Sequence, residues 1–340
     1  MRTITIIGGG LAGLALGIGL RQRGIPVTLH EASVYPRHRV CGEFICGVTS
    51  HTLEVLGIAA ELVDAEQCRT TGWYYREKPV YQRKLPVCAL GLSRHLLDFR
   101  MARKFQQLGG RLLTTSRFHC SEAQEGIIVA TGRKIHKKSP WVGLSLHCEG
   151  LSLSQDLEIH LGRRGYVGLS RIENNRVNVC GLFRKQPGVT AKKPDLLLVY
   201  LKINGLQELH DQIANRRIDE ESLVGISHLD FNRNIPPNSD KLSLGDHSAL
   251  IPPFTGNGMS MALESAKIAL NPVTLYAEKS IAWSHAINSV QQQMRKEFSR
   301  RLRIARLLHP FFYNKHGQNL LVRVAQLNLL PFNQIFRATH

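Results

Sequence analysis

Apolar and polar positions along this chain recur with several different periods, and each change of period predicts an element. Residues 3–7 (TITII) are a β-branched run of strand type, and residues 11–23 continue as an apolar stretch of helix length closed by Gly24 and Pro26. Residues 27–30 read as a second strand that ends at Glu31, and Thr49 opens a helix pattern closed by Gly57. Residues 70–91 alternate aromatic and polar positions and carry two prolines, which predicts a hairpin or edge strands of a second sheet. A helix over 95–108, a strand over 111–118 and a buried strand within 125–134 follow. Four alternating segments, 141–149, 157–161, 165–170 and 176–183, then predict an antiparallel meander with one buried face. Residues 186–239 are polar, with a helix pattern near 196–213. A strand at 242–244 and a helix opening after Gly256 come next, and residues 282–337 are helical in pattern, with Pro310 breaking the run.

Composition changes this picture little. With 340 residues, 43% hydrophobic and 21% charged, the chain has the make-up of a globular protein with about two domains. The seven cysteines (41, 46, 68, 88, 120, 148 and 180) are scattered and form no Cys-x-x-Cys pair, which argues against a disulfide framework and a zinc site and fits a reducing cytoplasm. The net charge of +18 is the unusual quantity. It fits a generally basic surface, an anionic membrane face, or an acidic substrate or carrier protein. Motifs for nucleic-acid binding are missing, so no nucleic-acid partner is expected.

The first elements carry chemistry. Gly8, Gly10 and Gly13 form Gly-x-Gly-x-x-Gly between a strand and a helix, with Leu11 and Ala12 inside the motif and Glu31 at the tip of the next strand. That order is what a dinucleotide site needs: a tight turn, close backbone approach to a pyrophosphate, a helix N-terminus aimed at it, and a carboxylate for the ribose hydroxyls. A membrane span or signal segment over 3–20 is the rival. Six glycines make a poor spanning helix at roughly 1 kcal/mol each, and no cleavage site follows.

Beyond Glu31 the motifs resemble one flavoprotein superfamily. Pro36 followed by Cys41-Gly42 and a helix ending in Leu-Gly looks like the geranylgeranyl reductase branch of the para-hydroxybenzoate hydroxylase-type flavoproteins. Gly245-Asp246, then Pro252-Pro253 and Gly256-Asn257-Gly258-Met259, resembles that family's second cofactor motif. The resemblance implies an α/β fold (α+β overall): a Rossmann-like FAD-binding domain interleaved with an antiparallel-sheet substrate domain, plus C-terminal helices. It places FAD binding at 1–69, 92–138 and 240–270, the substrate domain at 70–91 and 139–239, and a helical segment at 271–340. It implies flavin-loop roles for Arg39, Cys41 and Gly42, a cofactor role for Arg94, and an adenine contact through the backbone of Phe118. Asp246 is assigned to a ribityl hydroxyl, and the helix after Asn257 to the flavin ring. Cys41 and Tyr166 are the candidates nearest the chemistry, with Asn178 a further cavity candidate. Thr131 stands where the family has Asp, which puts NADPH or NADH as electron donor in doubt.

The expected activity is FAD-dependent hydride transfer between the flavin and an apolar or conjugated small molecule, in the manner of a C–C bond reductase. The substrate would be anionic, as a diphosphate, or acyl-carrier-linked. A monooxygenase using NAD(P)H and oxygen is the alternative, and an FAD-binding interaction protein with vestigial catalysis the third reading. The chain is expected in the cytoplasm, with its basic C-terminal helices as a candidate contact for a membrane surface or an acidic protein.

Overall fold

The β-branched run at the start forms β1 (Ile4–Ile7), and the apolar stretch behind it forms α1 (Leu11–Gln22). Every residue of α1 from Leu11 to Leu20 is buried, as expected of a helix that is apolar all round and covered on all sides. In this computed structural model, which describes residues 1–118, 124–133, 139–189, 195–232, 235 and 239–340, the chain continues with β2 (Val27–His30), β3 (Phe44–Ile45) and α2 (Ser50–Val55). A long pair, β4 (Glu66–Tyr75) and β5 (Lys78–Gly91), is followed by α3 (Arg94–Gln107), β6 (Arg111–Leu113) and β7 (Ile127–Val129). Next come β8 (Trp141–Glu149), β9 (Leu157–Gly162), β10 (Gly165–Ile172) and β11 (Arg176–Arg184), then α4 (Leu196–Ile203), α5 (Gln207–Ala214) and β12 (Arg217–Ser227). β13 (Leu242–Ser243), α6 (Gly258–Ala277) and α7 (Trp283–Leu308) precede three C-terminal helices, α8 (Pro310–Tyr313), α9 (Lys315–Gln326) and α10 (Phe332–Thr339).

Five strands make a parallel sheet in the order β13-β7-β1-β2-β6. It is sequence-discontinuous, with α1 packed against α3 and α6. The other eight make a mixed sheet in the order β12-β8-β11-β10-β9-β4-β5-β3. One core joins the parallel sheet to α1, α3, α6 and α7 through Ile6, Leu16, Phe105, Leu263 and Phe298. Another lies between the mixed sheet and α4–α5, where Leu146, Val167 and Val179 meet Leu197, Tyr200 and Ile213. The mixed sheet therefore has one face sealed by helices and the other turned towards the cofactor motifs. Among the described residues no helix is long and apolar enough to cross a membrane, and 3–20 holds a strand and α1.

Several expectations change. The meander is only partly one: β9, β10 and β11 follow in order, but β8 pairs with β11, and β4 pairs with β9 in parallel. Residues 70–91 do form the expected antiparallel pair, yet β4 lies inside the sheet because β9 covers its other edge. The strand at 111–118 ends at Leu113, where Thr115 takes a positive φ and the Ser116 amide turns back to the Glu31 carbonyl. The helix pattern at 196–213 is two helices, broken where the Asn204 side chain donates to the Tyr200 carbonyl at 2.8 Å and accepts from the Arg164 amide. Strand β12 lies in a segment whose polarity hid it. Cys120 and Lys134 fall outside the described residues.

Candidate functional site

The turn after β1 is built by what cannot fit. A Cβ on Gly13 would stand 2.0 Å from the Gly8 carbonyl oxygen, so α1 can close over the turn only with glycine there. Gly8 itself has φ +107°, a conformation L side chains resist. At Gly10 the reverse holds: the nearest atoms to a Cβ are Arg94 Nη2 at 3.8 Å and Arg39 Nη2 at 3.9 Å. The turn thus presents bare backbone to two guanidinium groups. Glu31, 4% exposed, accepts from the Gly9 amide at 2.8 Å and the Ser33 amide at 2.9 Å, and pairs with Arg37 at 2.8 Å.

One buried carboxylate aims the two arginines. Asp98, at the second turn of α3, accepts from Arg94 Nε and Nη2, each at 2.8 Å, and from Arg39 Nε at 3.1 Å. Burial alone would lower the Arg94 guanidinium, but its acidic partners, Asp98 foremost and Cys41 beside it, together outweigh burial and hold the group above its ordinary value. The start of α3 is pinned in turn, since Ser93 caps it and donates its hydroxyl to Glu173 at 2.5 Å.

The Cys41–Gly42 loop is held by the mixed sheet. Asn178 Nδ2 donates to the Cys41 carbonyl at 2.9 Å, and Ser170 Oγ donates to the Gly42 carbonyl at 2.7 Å. Burial pushes the Cys41 thiol up to about 11, against a smaller pull from Arg94, so it stands as a neutral thiol near pH 7. The next residue, Glu43, lines the same cavity. Its Oε1 accepts from the Arg94 amide at 2.9 Å, and its Oε2 lies 2.6 Å from His147 Nε2, with both side chains 1% exposed.

Opposite this loop, Gly245 and Asp246 follow β13, and burial raises the Asp246 carboxyl, with Arg94 and Arg133 pulling the other way. Arg133 Nε is buried without a hydrogen-bond partner, while Thr131 is tied to His247 Nδ1 at 2.8 Å. Helix α6 starts at Gly258, and Gly256, Gly258 and Met259 face the cavity. Past them the walls become apolar: Trp73, Tyr166, Phe254, Phe312, Phe332 and Phe336. The Tyr166 hydroxyl accepts from the Phe254 amide at 3.1 Å and stands 3.4 Å from His309 Nε2.

One cavity of about 810 Å³ collects these groups. It is lined by Gly8, Gly10, Leu11, Ala12, Glu31, Arg39, Cys41, Gly42, Arg94, Phe118, Tyr166, Asp246, Gly256, Gly258 and Met259. Three expected residues are not brought to it. Gly13 sits beneath the turn, and the Asn257 side chain donates instead to the Thr339 carbonyl, tying α10 to the turn. Asn178 holds the loop rather than lining the cavity. The sequence reading missed Glu43, Arg133 and His340, which line the cavity, and His147, which meets Glu43 behind it. Glu43 and Arg133 stand next to motif residues, which was the available signal. His147 had none, being 104 residues from its partner. Among the described residues no group of three or more His, Cys, Asp or Glu side chains could hold a metal ion.

No protein-family profile matches the chain. HpxO of Klebsiella pneumoniae, solved with FAD and uric acid, superposes with a TM-score of 0.77 at 15% identity over 99% of this chain and 96% of that one. The p-nitrophenol 4-monooxygenase PnpA of Pseudomonas putida superposes at 0.74 with 13% identity, over 99% of both chains. The chain has the fold of the FAD-binding flavoproteins. Conditioned medium factor receptor 1 of Dictyostelium discoideum is 22% identical over 326 residues, which span 78% of this chain. The chain covers only 62% of that relative's length. In the flavoprotein fold so recognised, the parallel sheet carries the glycine turn and the mixed sheet closes over it.

Proposed function

We propose that this chain is an FAD-dependent oxidoreductase acting on an apolar or conjugated small molecule. The observation that carries the reading is the continuity of one cavity from the glycine turn, past Cys41–Gly42, into the aromatic chamber. Its residues fit FAD. Gly10 faces open space backed by two guanidinium groups, Arg133 Nε is buried and unpartnered, and the amide end of α6 meets the cavity at Gly258 and Met259. Glu31 would hold the adenosine ribose with Phe118 beside the adenine. The Gly10 backbone, Arg39 and Arg94 would hold the diphosphate, Asp246 the ribityl chain, and the start of α6 the electron-rich edge of the ring. When bound, the flavin supplies the electron or hydride transfer. The protein's own part is to orient the substrate, exclude water with Trp73, Phe254 and Phe312, and hold a proton between Glu43, which lines the cavity, and His147 Nε2 behind it.

Two reactions suit this arrangement. Hydroxylation with NAD(P)H and oxygen is supported by the shared fold with a p-nitrophenol monooxygenase. Oxygen-independent reduction of a C–C bond, in the manner of the geranylgeranyl reductases, is supported by Thr131, which stands in place of the hydroxylase aspartate and is engaged with His247. A third reading, an FAD-binding interaction protein with vestigial catalysis, draws support from the relative described as a receptor. Anaerobic mixing of the purified protein with NADPH and NADH, followed by flavin absorbance, tests all three. Bleaching that reverses with substrate-stimulated oxygen uptake supports hydroxylation. Bleaching reversed by substrate without oxygen supports reduction. Bound FAD that neither donor nor dithionite-coupled substrate turnover can engage supports the third. A colourless protein that takes up no FAD overturns the proposal.

A further inference from the structure

The turn between α9 and α10 exposes side chains that a water-facing surface does not need. Leu327 and Leu329 are 67% and 68% exposed there, and Leu320, on the same stripe of α9 as Arg323 and Leu327, is 53% exposed. Leu320 also lines the cavity, as do Leu330 and Phe332 at the far end of the turn, so the apolar surface and the cavity wall are continuous. Along this part of the chain the charge is of one sign. After Glu297 the chain has no Asp or Glu, but it has seven Lys or Arg. Of these, Lys315, Arg323 and Arg337 are exposed on α9 and α10, and among the described residues none of the three is ion-paired.

We propose that this turn docks the protein on an anionic lipid surface, with Leu327 and Leu329 entering the acyl boundary and the cations on the headgroups. Exposed leucines flanked by unpaired cations, without a compensating carboxylate, are the signature of a face that lies in a membrane interface. A second copy of the chain fits worse, because a two-fold contact would bring one basic face onto another. An acidic protein would satisfy the cations but leave the leucines unexplained. The inference rests on the proposed function only for the idea that the cavity takes a substrate, which the docked turn would admit directly from the lipid.

The test is sedimentation of the purified full chain with phosphatidylcholine vesicles, with and without phosphatidylglycerol, at low and high salt. FAD occupancy is read separately by absorbance, so a failure of docking and a failure of the cofactor assignment are distinguishable. Binding is expected to anionic vesicles only, to weaken with salt, and to fall at least tenfold in the Leu327→Glu/Leu329→Glu variant at unchanged FAD occupancy and Tm. Neither leucine lines the cavity, so the variant leaves the cofactor end intact. Absence of binding to anionic vesicles, or equal binding by the variant, overturns the proposal. A dimer in light scattering that the variant dissolves would assign the patch to a second copy and overturn it as well.

Discussion

At the glycine end of the cavity the walls are backbone and charge: the turn at Gly8 to Gly13, Glu31 at the tip of the adjacent strand, and two guanidinium groups on one carboxylate. At the aromatic end the walls are side chains gathered from distant places. Trp73 comes from β4, Tyr166 from β10, Phe254 from the loop before α6, and Phe312 and Phe332 from the C-terminal helices. The first end admits one geometry, because most of its atoms are fixed by the main chain. The second tolerates exchange of one apolar side chain for another, because volume and not hydrogen bonding sets its shape.

The sharpest way to break that contrast is Gly13→Val, which drives a side chain into the Gly8 carbonyl. Loss of FAD occupancy with a fall of about 4 kcal/mol or more in stability is expected by absorbance and thermal melting. A yellow, stable Gly13→Val protein would show the turn to be less constrained than its geometry requires. Acid comes next and acts on the other end. Burial holds His309 and His340 down at about 4, with Arg184 and Arg301 respectively adding to the effect. Both imidazoles are neutral when folded but bind protons near pH 6.5 once unfolded, so stability falls as pH drops from about 6.5 to about 4. His309, deeply buried, contributes on the order of 3 kcal/mol across that window. A Tm independent of pH there would remove this account of the aromatic end.

Where the two ends meet, Glu43→Gln is expected to lower turnover by about a hundredfold while FAD occupancy stays intact. Wild-type turnover in that variant would take the Glu43–His147 pair out of the chemistry. Glu31→Ala should weaken FAD at least tenfold, about 1.4 kcal/mol, by fluorescence titration. The smallest effect belongs to Phe254→Leu, whose ring stacks on Phe312 at 4.1 Å. A change of a few fold in KM with unaltered FAD affinity is expected, and a loss of FAD there would end the distinction between the two regions.

The same contrast decides what a reader of the sequence could see. Gly8, Gly10, Gly13 and Glu31 were legible from the spacing of one short run, whereas Arg39, Arg94 and Asp246 were marked through the family resemblance, and all of these but Gly13 line the cavity. The aromatic end was legible only at Tyr166, since nothing local joins Trp73 to Phe332. Asp98, which aims both arginines, stands four residues after Arg94, but its second partner lies 59 residues away, so nothing local marked the pair. The order of the mixed sheet escaped because alternation tells which face a strand buries and not which neighbour it pairs with, so β8 was placed beside the wrong strand. Asn257 was read as a cofactor residue from its motif, whereas its amide serves a helix 82 residues later.

That the mixed sheet grips the Cys41–Gly42 loop has a consequence for biosynthesis. The grip comes from Ser170 and Asn178, which follow the loop by 128 and 137 residues, and Ser260 holds Cys46 from 214 residues on. A nascent chain that has finished its glycine turn would have the proposed seat for the diphosphate but no floor for the ring. On the proposed function, loading of the cofactor would therefore be a late event in the making of this protein, one that waits for α6 to leave the ribosome.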